Sequence, residues 1–229
     1  MARMALVRTH RFGPLGAPAR LVMVALAAGL LAAACGSPSA IYLKDPSGKL
    51  IFKLPPSWTV FDQTQVYRDQ HPDATFQAAQ AATAGQWLVG FDGSTAPSIG
   101  DLLSPTATKP TGFSKVRPVT SAEQATLSTT AGLRNAVFSL DQEQQKSPDL
   151  VRIQESHLLR LPGGYRALRI TFSIGASASG PVMTFSQVAA VDSGVQHLYL
   201  LLIGCADDCY RENRTSINQV LDSWTLKEF

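Results

Sequence analysis

The chain has 229 residues, 45% of them hydrophobic and 16% charged, with a formal charge of +3. Four of its twenty Lys/Arg are Arg3, Arg8, Arg11 and Arg20, so residues 35–229 carry sixteen Lys/Arg against seventeen Asp/Glu, a net charge of −1. That balance excludes a basic footprint for nucleic acid or for an anionic lipid surface, and the 195 residues after residue 34 suit one domain with a proper core better than two.

The first twenty residues hold those four arginines and no acid, and Leu21 to Leu31 is an uncharged run of eleven. A basic segment followed by a short apolar one describes an export signal. Even with Ala32 to Ala34 the run reaches fourteen residues, short of the roughly twenty that a membrane-spanning helix needs. Leu31-Ala32-Ala33-Ala34-Cys35 resembles the lipobox of bacterial lipoproteins, in which a cysteine follows small residues directly after the apolar run. The resemblance implies a signal peptide over residues 1–34 and a lipidated Cys35 as the mature N-terminus. Two or more acyl chains anchor stably where one does not, so the expected location is the extracytoplasmic face of a bacterial cell membrane. An ordinary cleaved signal with an incidental cysteine is the alternative. Residues 35–40 then form the anchor and a tether of five residues, Gly36 to Ala40. At about 3.5 Å per residue the tether spans less than about 20 Å, which keeps the domain of residues 41–229 close to the membrane.

Ile41 to Lys44 and Lys49 to Leu54 flank Asp45-Pro46-Ser47-Gly48, a tight-turn composition, and predict a hairpin. Thr59 to Phe61 resumes an extended path, and Gln86 to Phe91 alternates as a strand does. Between them the alanine-rich Phe76 to Ala84 is either a short helix or a loop. Residues 94–112, dense in Ser, Thr, Pro and Gly, predict a surface loop with a short helix at Ser98 to Leu103 behind a serine cap; O-glycosylation of this tract is a minor alternative. Ser121 to Leu133 has helical spacing and a capping residue. Ala136 to Leu140 predicts a strand, followed by the polar segment Asp141 to Asp149.

The second half is clearer. Val151 to Leu161, Tyr165 to Ile174, Val182 to Val191 and Val195 to Ile203 are four extended runs joined by short Gly-containing links, which mark an antiparallel meander. In the second run Leu168, Ile170, Phe172 and Ile174 share one face and Arg169, Thr171 and Ser173 the other. The last run is apolar on both faces and predicts a central strand covered on both sides. Cys209 to Trp224 carries Tyr210, Ile217, Val220, Leu221 and Trp224 on one helical stripe, with Asp207 or Asp208 as cap. Setting Cys35 aside leaves Cys205 and Cys209 as an even pair, which an oxidising compartment joins in a disulfide.

Phe52-Lys53-Leu54-Pro55-Pro56-Ser57-Trp58 after the hairpin, the long meander, and the closing Ser216-Ile217-Asn218-Gln219-Val220-Leu221-Asp222-Ser223-Trp224 resemble the Mog1/PsbP-like α/β/α sandwich. Actinobacterial lipoproteins of the LpqN/LpqT type are similar in that pattern. The resemblance covers Ile41 to Phe229 and implies an α+β fold, an antiparallel β-sheet flanked by helices. It implies a non-catalytic envelope or protein-binding accessory role, with no family active site to transfer.

The residues themselves point the same way. No G-x-S-x-G, G-x-G-x-x-G, Walker A loop or H-E-x-x-H occurs, so no catalytic, cofactor-binding or metal residue is assigned. Glu155 and His157 share a strand face, an arrangement open to proton transfer but more commonly a polar patch. His197 and Tyr199 share a face of the most apolar strand, which predicts a hydrogen-bonded core histidine. Cys205-Ala206-Asp207-Asp208-Cys209 has two thiols and two carboxylates but no second ligand pair for zinc, and it is not the C-x-x-C of thiol oxidoreductases. Asn213-Arg214-Thr215 is a coincidental sequon. The expected function is a non-catalytic, membrane-anchored binding or accessory module with an envelope protein as partner. A carrier or sensor of a lipid or other apolar ligand is the alternative, and a hydrolase with a scattered site is a third.

Overall fold

The structure, a computed structural model, describes residues 39–228 apart from residues 105, 106, 176, 178 and 179. The export signal, Cys35 and the tether as far as residue 38 lie outside the described residues. The hairpin of β1 (Ile41–Lys44) and β2 (Leu50–Leu54) leads into β3 (Thr59–Asp62), which runs straight into α1 (Gln63–Gln70). Then come α2 (Phe76–Ala82), β4 (Trp87–Asp92), a single 3-10 turn at Ile99–Asp101, and β5 (Thr111–Pro118). Three short helices follow, α3 (Ser121–Leu127), α4 (Thr130–Arg134) and α5 (Leu140–Lys146). The meander is β6 (Val151–Arg160), β7 (Arg166–Gly175), β8 (Val182–Val191) and β9 (His197–Ala206), and α6 (Asp207–Ser223) and β10 (Thr225–Leu226) close the chain.

Seven of these strands form one antiparallel sheet in the order β3-β4-β5-β9-β8-β7-β6. As its double-sided apolarity predicts, β9 is the middle strand. Tyr199, Leu201 and Ile203 point into one buried cluster and Leu198, Leu200 and Leu202 into the other. The first cluster is closed by α6, whose Ile217, Val220 and Leu221, with Trp224 just after it, also meet Leu50, Phe52 and Leu54 of a small second sheet, β1-β2-β10. The second is closed by Leu127, Leu133 and Leu140 from α3, α4 and α5. The result is the α+β architecture with an antiparallel sheet flanked by helices.

Several expectations fail for physical reasons. Ala136 to Leu140 is not a strand. Asn135 and Arg134 both hold Asp141 at 2.8 Å, bending the chain back so that Leu140 starts α5 and the Phe138 ring meets Phe172 and Phe185. The helix over Ser121 to Leu133 breaks at Ser128 and Thr129, where the Thr129 hydroxyl accepts from the Gly132 N–H and starts α4. β5 occupies the end of the predicted loop tract and the six residues after it, and joins β4 to β9. A Cβ on its Gly112 would sit 2.1 Å from the Leu202 carbonyl oxygen, so only glycine lets the backbones approach this closely. α1 has a capping box between Asp62 and Gln65 but buries only Val66, so it carries no apolar stripe to announce it.

Candidate functional site

Thr171 and Ser173 on the polar face of β7 are buried, though less completely than Ile170 and Phe172 on its apolar face. Antiparallel register sets Thr171 opposite Ser186 and Ser173 opposite Thr184, and the first turns of α6 cover the four hydroxyls. Thr184 donates to Asp207 Oδ1 at 2.7 Å, so its oxygen accepts from Ser173 at 2.9 Å, and Ser173 in turn accepts from the Gln154 amide at 2.6 Å. A hydroxyl has one proton to give, which fixes the direction of the chain from Gln154 to the carboxylate. A second chain links Thr171, Ser186 and the Tyr210 hydroxyl at 2.9 and 2.6 Å. Burying these groups is tolerable because each has a partner.

The groove above this network has a volume of about 700 Å³ and lies between the start of β6, the β7–β8 surface and the start of α6. Arg152, Gln154, Ser173, Thr184 and Arg214 are among its lining residues. Gln154 reaches the floor because it is the extra residue of a β-bulge between Ile153 and Glu155. Arg214 bonds Glu155 at 2.9 Å, and Arg211 pairs with Asp207 and Asp208 in the first turn of α6. Cys205 and Cys209 are joined in a disulfide with their Cα atoms 5.9 Å apart. It ties the end of β9 to the first turn of α6, and so holds the helix that forms the groove's far wall.

The other residues singled out in the sequence are scattered. Glu155 and His157 do share a face, but Glu155 is bonded to Arg214 rather than to the histidine. His197 is not a core histidine: it sits exposed at the mouth of β9, with Nδ1 2.9 Å from Asp192 Oδ2. The chain buries Tyr199 instead, edge-on to Tyr165 at 5.7 Å, and burial together with Tyr165 pushes its phenol pKa well above the usual value. His71 stacks on Tyr67 and bonds its carbonyl oxygen. Among the described residues no three His, Cys, Asp or Glu side chains are grouped to hold a metal, and no described helix is long and apolar enough to cross a membrane. Thr184, Ser186 and Gln154 were not singled out in the sequence. The signal for the first two was available, since pairing the second and third runs of the meander across their Gly-rich link aligns Ser and Thr across strands.

This layering is similar to that of a PsbP-like sandwich. The solution structure of cyanobacterial PsbP from Synechocystis sp. PCC 6803 matches it with a TM-score of 0.50 at 14% identity, over 85% of this chain and 96% of that one. LpqN of Mycobacterium tuberculosis, described as involved in cell envelope biogenesis, gives 0.43 at 14% identity over 82% of this chain and 91% of its own. A mutant of Mog1 gives 0.43 at 8% identity over 82% and 95%. No protein-family model matches the sequence, and no curated protein does. At 14% identity the PsbP likeness speaks for the fold alone.

Proposed function

We propose that the chain is a lipid-anchored, non-catalytic binding or accessory module of a bacterial envelope, and that it meets its partner at the groove beside α6. The observation that carries this reading is the state of the groove's hydroxyls. Ser173 and Thr184 are buried and held in a hydrogen-bonded chain that ends on the Asp207 carboxylate, so they floor the groove as fixed groups. Such a surface presents fixed donors and acceptors and suits recognition. The lipobox-like stretch ending at Cys35 supports the anchor, and the Cys205–Cys209 disulfide supports an oxidising compartment. A carrier of an apolar ligand is the weaker reading, because hydroxyls and arginines line the groove while the apolar side chains pack against one another.

Two experiments test the two halves of the proposal. In an actinobacterial host, Cys35→Ala should release the full chain from membranes or block its processing; unchanged membrane retention and mass would refute lipidation. A photo-crosslinking residue in place of Arg211 should give a discrete adduct in intact envelopes that the same residue in place of Glu143, on α5, does not. Equal labelling from both positions, or none, would remove the groove as the binding surface.

A further inference from the structure

The seven-stranded sheet has two ends of different kinds. At one end β3 is four residues long and passes directly into α1, so little free edge remains. At the other end β6 is ten residues long with nothing hydrogen-bonded to its outer side among the described residues. An open edge of this length is a template for another strand, and proteins ordinarily blunt such edges.

The bulge at Gln154 divides β6. Beyond it, Glu155, His157 and Leu159 follow Thr171, Arg169 and Ala167 onto the α6 face, and Ser156, Leu158 and Arg160 follow Ile170, Leu168 and Arg166 onto the other. This regular stretch of Glu155 to Arg160 is about 20 Å long at 3.3 Å per residue. Leu158 is 70% exposed, an apolar side chain standing on an edge with no neighbour outside it.

Charge adds a second observation. Arg160 lies directly opposite Arg166, although like charges opposite each other across a ladder are unfavourable. Arg152 and Arg160 have no bonded partner among the described residues, Arg166 reaches only the Ser128 carbonyl oxygen, and Arg169 and Arg214 hold Asp222 and Glu155. Asp149 is the other acid at the start of the strand. A basic strip thus runs along one edge of a domain whose residues 35–229 carry a net charge of −1. A second copy would bring two basic edges together. An acidic strand would offset the arginine pair.

We infer that the free edge of β6 accepts an extended acidic peptide by strand addition, its carboxylates meeting the Arg160–Arg166 pair and an apolar side chain covering Leu158. Main-chain hydrogen bonds supply the affinity in this mode, and alternate side chains supply the choice of sequence. The inference goes beyond the groove but rests on the binding-module reading: the start of the same strand, Arg152 to Gln154, lines the groove, and the docking stretch lies past the bulge.

The test uses the full chain in detergent micelles and an acetylated, amidated octapeptide Thr-Glu-Thr-Val-Thr-Glu-Thr-Val, which places glutamate and valine in turn along one strand face, with the same peptide carrying lysine for glutamate as the counterpart. Residue-resolved amide hydrogen exchange is the readout. The acidic peptide should slow alternate amides between residues 155 and 160 and leave β3 unchanged. Arg160→Glu should weaken it about tenfold, since reversing an exposed charge turns attraction into repulsion, and should favour the lysine peptide; Leu158→Glu should weaken it as well. Unchanged exchange in the remaining strands shows that both variants are folded. Protection by neither peptide, or equal protection by both, overturns the inference. So does protection that appears without peptide and grows with protein concentration, which would mean that a second copy fills the edge. Crosslinking from position 211 in envelopes is independent of these outcomes: if it succeeds while the peptide fails, only the strand-addition proposal falls, and if it fails while the peptide binds, the groove reading falls.

Discussion

The two faces of β7 and β8 are both buried but differ in chemistry. On one, Leu168, Ile170, Phe172, Phe185 and Ala189 pack under the short helices, with Gln187 as the polar exception, its amide donating to the Leu133 carbonyl oxygen at 2.8 Å. On the other, Thr171, Ser173, Thr184 and Ser186 are also buried but are held by directional bonds to each other, to Tyr210 and to Asp207. Packing closes a face completely, because any gap forfeits contacts on all sides. A hydroxyl network is satisfied once each group has its partner, and it can stop beside open space. The groove lies over the second face for that reason.

That contrast can be broken by substitutions chosen on either side. Phe172→Ala removes a fully buried ring that touches Phe138 and Phe185 and should cost about 3–5 kcal/mol in chemical denaturation; a loss below about 1 kcal/mol would mean that the apolar face is not closed by packing. Replacing Cys205 and Cys209 together by serine opens a very short loop and should cost about 2 kcal/mol, with faster amide exchange at the start of α6. Thr184→Val keeps the shape but cuts the link from Ser173 to Asp207, and about 1–2 kcal/mol should be lost in urea unfolding. A neutral outcome would show that the polar network follows the groove's geometry and does not maintain it.

The smallest effect is expected far from both faces, at the head of α3. The Arg117 guanidinium and the Thr120 N–H and hydroxyl hold the Glu123 carboxyl at about 2, below its ordinary value. The ionised form is the one favoured by folding, so its contribution is complete above the ordinary carboxylate range and is lost as pH falls toward 2. Because the pair is only partly buried and is screened by solvent, Glu123→Gln should cost less than about 1 kcal/mol at neutral pH. The difference from wild type should shrink in denaturation curves taken between pH 4.5 and 2.

What the sequence reveals about this molecule follows the strength of its local signals. The meander is legible because four long β-rich runs are separated by glycine-containing links, and α6 because its stripe is continuous. β5 is hidden because its central positions, Gly112, Ser114 and Lys115, are poor strand residues judged alone. They are explained only by neighbours far along the chain, the Leu202 backbone against Gly112 and the Leu200 carbonyl oxygen accepting from Ser114 at 2.8 Å. Ala136 to Leu140 misleads in the opposite sense, since a short apolar run fits a strand and a buried bend equally well. The groove is harder to foresee than any element. Thr171 and Ser173 look solvent-facing until the register with β8 and the placement of α6 are known.

The pairing of β5 with β9 spans Thr111 to Gly204 at one end and Pro118 to His197 at the other. The sheet is therefore two sub-sheets, β3-β4-β5 and β6 to β9, joined along one seam between strands far apart in the chain. During N-to-C-terminal synthesis the edge of β5 has no native partner until residues beyond 197 exist. Contacts this distant in sequence close slowly, and an unpaired edge is prone to aggregate meanwhile. A chain stopped before β9 would lose more than its last helix: it would be left with two half-sheets, each open along the side meant for β9.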